Sequence, residues 1–152
     1  MTDVDDRRNW NMVVAVLALV WAGLVIGVSG LATPVKFNAP SLTLPVALDV
    51  GRVTFNLLAR VEWGLATALV LSGIAARVSY WRWLLIALVV AIVLAQSFWL
   101  LPALDARVSA VIAGTPLPPS SLHGWYVAGE AMKIGALTLI GLGALWRVRR
   151  VR

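Results

Sequence analysis

Four apolar runs, at about 10–32, 46–76, 83–103 and 121–146, set what this chain can fold into. Each reaches or exceeds the ~20 residues a helix needs to cross the ~30 Å hydrocarbon core of a bilayer. Lipid offers the backbone no hydrogen-bond partners, so a spanning segment must satisfy its own N–H and C=O groups. The runs therefore predict an all-α, integral membrane four-helix bundle, and 152 residues make it one membrane domain. Composition agrees. The chain is 61% hydrophobic and 13% charged, about half the roughly 25% charge of soluble chains. A net charge of +6 would suggest nucleic acid in a soluble protein. Here the basic residues gather at the ends of apolar runs, where topology accounts for them, and no nucleic-acid partner is expected. The absence of cysteine excludes disulfides, thiolate catalysis and Cys-ligated metals.

Residues 1–9 read as a short, frayed, charged tail. The first apolar run competes with a signal peptide, with Arg7 and Arg8 as its basic end and Gly30-Leu31-Ala32 at a cleavage site. The run is longer than the ~7–15 residues of a signal core, and the Arg pair stands beside Asp3, Asp5 and Asp6, so a retained helix is favoured. Residues 33–48 hold Pro34, Pro40 and Pro45 and read as an outer loop, because proline breaks helices. Pro45 suits the first turn of the second helix. Pro102 is expected to kink the third helix, whose pattern continues through Asp105 and Arg107 to Ala113. GTPLPPSS at 114–121 is a loop, and Ser120 or Ser121 offers an N-cap to the fourth helix.

Arginine and lysine divide unevenly. Arg7, Arg8, Arg77, Arg82, Arg147, Arg149, Arg150 and Arg152 fall on one side, and Lys36, Arg52 and Arg107 on the other. The positive-inside rule then places both termini in the cytoplasm, and a bacterial inner membrane is the expected location.

Glu62 is the most telling ionisable residue. If Arg77 marks the inner surface, Glu62 lies about three-quarters of the way across the core at ~1.5 Å per residue. Ionisable side chains at such depth are paired or functional. The outer polar set comprises Lys36, Asp49, Arg52, Arg60, Glu62, Gln96, Asp105, Arg107, His123, Glu130 and Lys133. Asp49/Arg52 and Glu130/Lys133 are i,i+3 pairs. Glu62 has no basic residue on its own face, and Lys133 lies at matching depth. Local ion pairs that fix helix ends are one reading of this set. A shared polar cavity where Glu62, Glu130 and Lys133 meet is the other.

Small residues recur four apart: Gly23/Gly27, Gly64/Ala68, Ala91 within the third run, and Ala131/Gly135. They predict close helix packing inside the bundle, or a homodimer seam on Gly23 and Gly27. Trp21 and Trp63 read as packing residues. The two halves share a layout of span, proline-bearing outer segment, and span with a Glu near its outer end, which suggests a parallel two-helix tandem repeat.

No GxSxG, HExxH, Walker or GxGxxG motif is present. One histidine, His123, without cysteine does not make a metal or haem site, so no cofactor is expected. Ser120, Ser121 and His123 are adjacent, and helix capping explains them. The reading is a non-enzymatic transport or accessory component of the bilayer, with a homo-oligomer or a membrane-complex partner. The alternatives are a structural or scaffold subunit using its small-residue faces and, further off, a membrane enzyme or haem protein.

Two stretches carry a family resemblance: SFWLLPALDAR (97–107) followed by PPSSLHGWYVAGEAMK (118–133), and KFNAP (36–40) followed by LDVGRVTF (48–55). They resemble small four-helix membrane proteins grouped with transmembrane protein 205. In these a W-x-x-P-like segment ends the third span, and a His with nearby Ser opens the fourth. The resemblance implies the four-helix fold; the family has no settled biochemical activity, so it implies no substrate.

Overall fold

A computed structural model describes residues 3–115 and 117–150. Val151 and Arg152 of the C-terminal run lie outside the described residues, as do Pro116 of the long loop and the first two residues of the N-terminal tail. The described chain is helical, with no strand. Four helices, spanning Asp5–Lys36, Leu44–Ala75, Tyr80–Ile112 and Leu122–Arg149, are long and apolar enough to cross a membrane. They hold 32, 32, 33 and 28 residues. At ~1.5 Å rise each is longer than the ~30 Å core is thick, so the ends project beyond it.

Two stretches differ from the sequence reading. The acidic tail is part of the first helix, which starts at Asp3 rather than fraying. The first helix also continues through Pro34 to Lys36 instead of breaking at residue 33. The reason lies just upstream. Residues Ile26–Ala32 form a π-helical turn, and the Thr33 N–H bonds the Val28 carbonyl, one residue further back than in an α-helix. The Thr33 hydroxyl reaches the same carbonyl at 2.8 Å. Proline cannot supply the usual i→i−4 bond, and the wider turn absorbs the missing donor. The third helix uses the same device. Gln96–Leu100 is π-helical, Leu101 N–H bonds Gln96 O, and the α-helix resumes past Pro102 to Ile112. Pro45 sits in the first turn of the second helix, after Thr43 in an extended conformation. The fourth helix begins where the Trp125 N–H meets the Ser121 carbonyl at 3.0 Å.

The first helix packs most extensively on the fourth and also on the second; the third packs on the second and fourth. The core between them is Val14, Ala18, Trp21, Val25, Leu69, Ile86, Val89, Leu137 and Ile140. Close approach occurs at Gly141, where an added Cβ would fall 2.6 Å from Leu19 Cγ, and at Gly73, against Ile86. The small residues read as internal packing positions lie elsewhere. Gly23, Gly64, Ala91 and Gly135 are exposed, Gly27 and Ala68 half-buried. A Cβ at Gly23, Gly27, Gly64 or Gly135 would meet nothing within 4 Å. Four-residue spacing fixes only that small residues share a face; which face turns inward is set by the larger apolar residues, here Trp21, Leu69 and Leu137. The outer surface is accordingly apolar, with Val20, Leu31, Val53, Leu71, Phe98 and Leu139 each more than half exposed. Trp81 and Trp146 stand at one end and Trp99 and Trp125 at the other, all strongly exposed, the arrangement of interfacial aromatic belts.

Candidate functional site

Within this bundle three ionisable side chains meet away from solvent. Lys133, on the fourth helix, is 0% exposed, and Glu62 and Glu130 are 2% and 4% exposed. Lys133 Nζ lies 2.5 Å from Glu62 Oε1 on the second helix and 2.8 Å from Glu130 Oε1 on its own helix. It donates hydrogen bonds to Glu62 Oε1 and to Gln96 Oε1, the latter at 2.8 Å. Gln96, on the third helix, donates its amide to Glu130 Oε1 at 2.8 Å and lies 3.4 Å from the Tyr126 carbonyl. The first helix contributes from two levels: Trp21 Nε1 donates to Glu62 Oε1 at 2.9 Å, and Ser29 Oγ to Glu130 Oε2 at 2.7 Å. All four helices thus supply one network, and no buried side-chain N or O among the described residues lacks a partner.

Local sequence explains the placement. Ser29 lies within the first π turn and Gln96 opens the second, so each turn that accommodates a proline also delivers a polar side chain to the cluster. Gly129, one residue before Glu130, leaves room for Gln96: a Cβ there would stand 3.2 Å from Gln96 Nε2. Trp63 Nε1 donates to Ser97 Oγ at 3.2 Å, tying the second helix to the third beside the network.

A half-open cavity of about 520 Å³ leads to Glu130. Phe37, Phe55, Tyr126, Val127 and Ile134 make its apolar walls, and Ser29, Glu130 and His123 its polar points. Phe55 meets Tyr126 edge-on, with ring centroids 5.2 Å apart. His123 is exposed and also lines a smaller neighbouring cavity of about 130 Å³ with Lys36, Arg52 and Asp105.

The remaining members of the sequence-derived polar set do not join the buried network. Arg52 pairs with Asp49 and donates to Ser109 Oγ at 3.1 Å. Asp105 accepts from Asn56 Nδ2 at 3.0 Å. Arg107 reaches back to the carbonyl of Pro118 in the long loop, and Lys36 Nζ stands 5.2 Å from the Phe37 ring centroid. These contacts tie helix ends to one another and to the loop. Sequence reasoning placed Glu62, Glu130, Lys133 and Gln96 in one polar set and did not single out Ser29. Trp21 packs in the core, as its mid-span position predicts, and its N–H also serves Glu62. Among the described residues, no group of three or more His, Asp or Glu is placed to hold a metal ion.

No family model, curated protein or solved structure matches the chain.

Proposed function

We propose that this chain is a non-enzymatic integral membrane protein, a transport or accessory component whose working part is the Glu62–Lys133–Glu130 cluster. One observation supports this above the rest: two carboxylates share a single buried ammonium, and one of them lines a half-open cavity. A buried pair can neutralise itself; a buried trio of this composition holds a surplus negative charge when all three groups are ionised. A proton or the ammonium of a bound molecule offsets that surplus. The adjoining cavity is mainly apolar, with Glu130 among its lining residues, which suits a hydrophobic organic cation.

In this reading the cluster lies toward the outer face, both termini are cytoplasmic, and the membrane is a bacterial inner membrane. The uneven division of arginine and lysine supports that orientation. A parallel tandem repeat is supported by one sequence offset that carries Ser29 to Ser97, Pro34 to Pro102 and Glu62 to Glu130. The same offset takes Leu65 to Lys133, so the ammonium belongs to one half alone.

The test uses purified chain in proteoliposomes and tetraphenylphosphonium as the probe. Native protein is expected to take it up against an imposed pH gradient. Glu62→Gln and Lys133→Met are each expected to impair uptake while leaving membrane insertion intact. Native-level uptake in both variants would remove the cluster from the account.

A second reading, a scaffold subunit or homo-oligomer, is favoured by the open space around Gly23, Gly27, Gly64 and Gly135. A second helix could approach closely at such positions.

A further inference from the structure

The opposite end of the bundle holds a different constellation. Arg7 and Arg8 at the start of the first helix, Arg77 after the second, Arg82 opening the third and Arg147 near the end of the fourth all line one cavity of about 270 Å³. No described carboxylate lines it; the remaining members are Asn11, Ala76 and Val148. Arg8 also pairs with Asp5, 3.6 Å away along its own helix. Arg82 is only 6% exposed, and its Nη1 donates to Asn11 Oδ1 at 2.7 Å. Asn11 is held in turn by its Nδ2 bond to the Arg7 carbonyl at 2.8 Å. A buried guanidinium is thus fixed by a neutral amide, and it lines a cavity shared with four more arginines.

Topology alone does not require this. The positive-inside rule asks for arginines in the inner loops and tails, and it is met wherever they point. It does not ask that four chain segments aim them at one hollow, or that one be buried. Guanidinium presents planar, paired donors matched to phosphate oxygens. Basic hollows between helix ends on the inner side of a membrane receive anionic lipid headgroups.

We propose that this Arg cradle binds the phosphates of an anionic phospholipid headgroup, with a two-phosphate headgroup preferred over a one-phosphate headgroup. The preference follows from charge: Arg77, Arg82 and Arg147 alone bring three guanidiniums to the cavity, more than one phosphodiester can neutralise. The site stands apart from the Glu62 cluster and does not depend on its role.

Arg77 gives the test its control. Its φ of 48° is the left-handed conformation that favours glycine. Val78 N–H bonds Gly73 O at 3.1 Å and Arg77 N–H bonds Ile74 O at 3.0 Å, a Schellman helix end with arginine where glycine is usual. Arg77→Gly therefore removes a cation while relieving the backbone.

The experiment takes the full chain, stripped of lipid in uncharged detergent, and measures by native mass spectrometry its binding of diphosphatidylglycerol, phosphatidylglycerol and phosphatidylcholine. Binding should fall in that order. Arg77→Gly and Arg147→Gln should each weaken diphosphatidylglycerol binding roughly five-fold, and Arg77→Gly should keep or raise the melting midpoint. Equal binding of the three lipids would overturn the proposal, as would native affinity in both variants. Sodium pyrophosphate that binds as tightly as the lipid would assign the cradle to a soluble anion and overturn the lipid reading.

Discussion

Lys133 Nζ lies 2.5 Å from Glu62 Oε1, across two helices, with both side chains closed to solvent. Both charges have left water, so their mutual attraction must offset a desolvation cost of several kcal/mol per ion. Removing one partner strands the other. Lys133→Met leaves two buried carboxylates facing each other and is expected to destabilise the fold by about 3–5 kcal/mol, read as a lowered unfolding midpoint in detergent. The double variant Glu62→Gln/Lys133→Met should recover part of the loss, because one buried carboxylate, Glu130, and not two is then left without the ammonium. If the double variant loses the sum of the two single effects, the pair is not coupled.

Trp21 is fully buried, and its N–H is one of two donors to the Glu62 oxygen that also meets Lys133. Trp21→Phe keeps most of the ring in the core and removes that donor. Hydrogen bonds to charged groups contribute about 1.5–3 kcal/mol, so a destabilisation in that range is expected. Trp63→Phe, at a half-buried position whose N–H meets only a serine hydroxyl, should cost less, about 0.5–1.5 kcal/mol. Comparing the two in the same denaturation series checks the ranking.

Gln96 joins Lys133 and Glu130 with one amide. Gln96→Leu preserves most of the volume, leaves a donor of Lys133 without its acceptor, and leaves Glu130 Oε1 with Lys133 alone. Unpaired buried polar groups cost about 1–3 kcal/mol each. Ser29→Ala removes only the Oε2 contact of Glu130 and should cost less. Hydrogen exchange at the third helix would show whether Gln96→Leu also loosens the π turn that Gln96 opens.

The apolar runs made four helices legible, because length and hydropathy alone decide whether a segment can span. Glu62 and Lys133 were legible as partners from depth: each lay deep in an apolar run, and no cation stood three or four positions from Glu62. The π turns were not legible. Pro34 looked like a helix stop because a proline in a regular helix orphans an i−4 carbonyl, and nothing in the local sequence states that a wider turn will absorb the loss. Ser29 was missed for the same reason, since its direction depends on that turn. The Arg cradle was read as five separate topology signals, because convergence belongs to the tertiary arrangement and not to spacing along the chain. The small-residue faces left internal packing and an outer seam both open for a further reason. In lipid, both the inner and outer faces of a helix are apolar, so hydrophobicity does not mark the inside as it does in water.

That last point yields a test which separates packing within one chain from association between chains. Gly141 and Gly23 are both glycines in long helices, yet their surroundings differ. A Cβ at Gly141 meets Leu19 Cγ at 2.6 Å and Cδ2 at 2.8 Å, whereas a Cβ at Gly23 meets nothing within 4 Å. Gly141→Leu forces Leu19 out of its place between the first and fourth helices and is expected to cost about 1–3 kcal/mol by overpacking. Gly23→Leu and Gly27→Leu extend into open space and should leave the thermal midpoint of the isolated chain at or above the native value, since leucine is the better helix former. If the Gly23/Gly27 face is a seam for a second copy or a partner, the same variants should abolish capture in a detergent pull-down without loss of fold. Capture at the native level in well-folded Gly23→Leu and Gly27→Leu protein would exclude that face as the contact and leave the scaffold reading without its structural support.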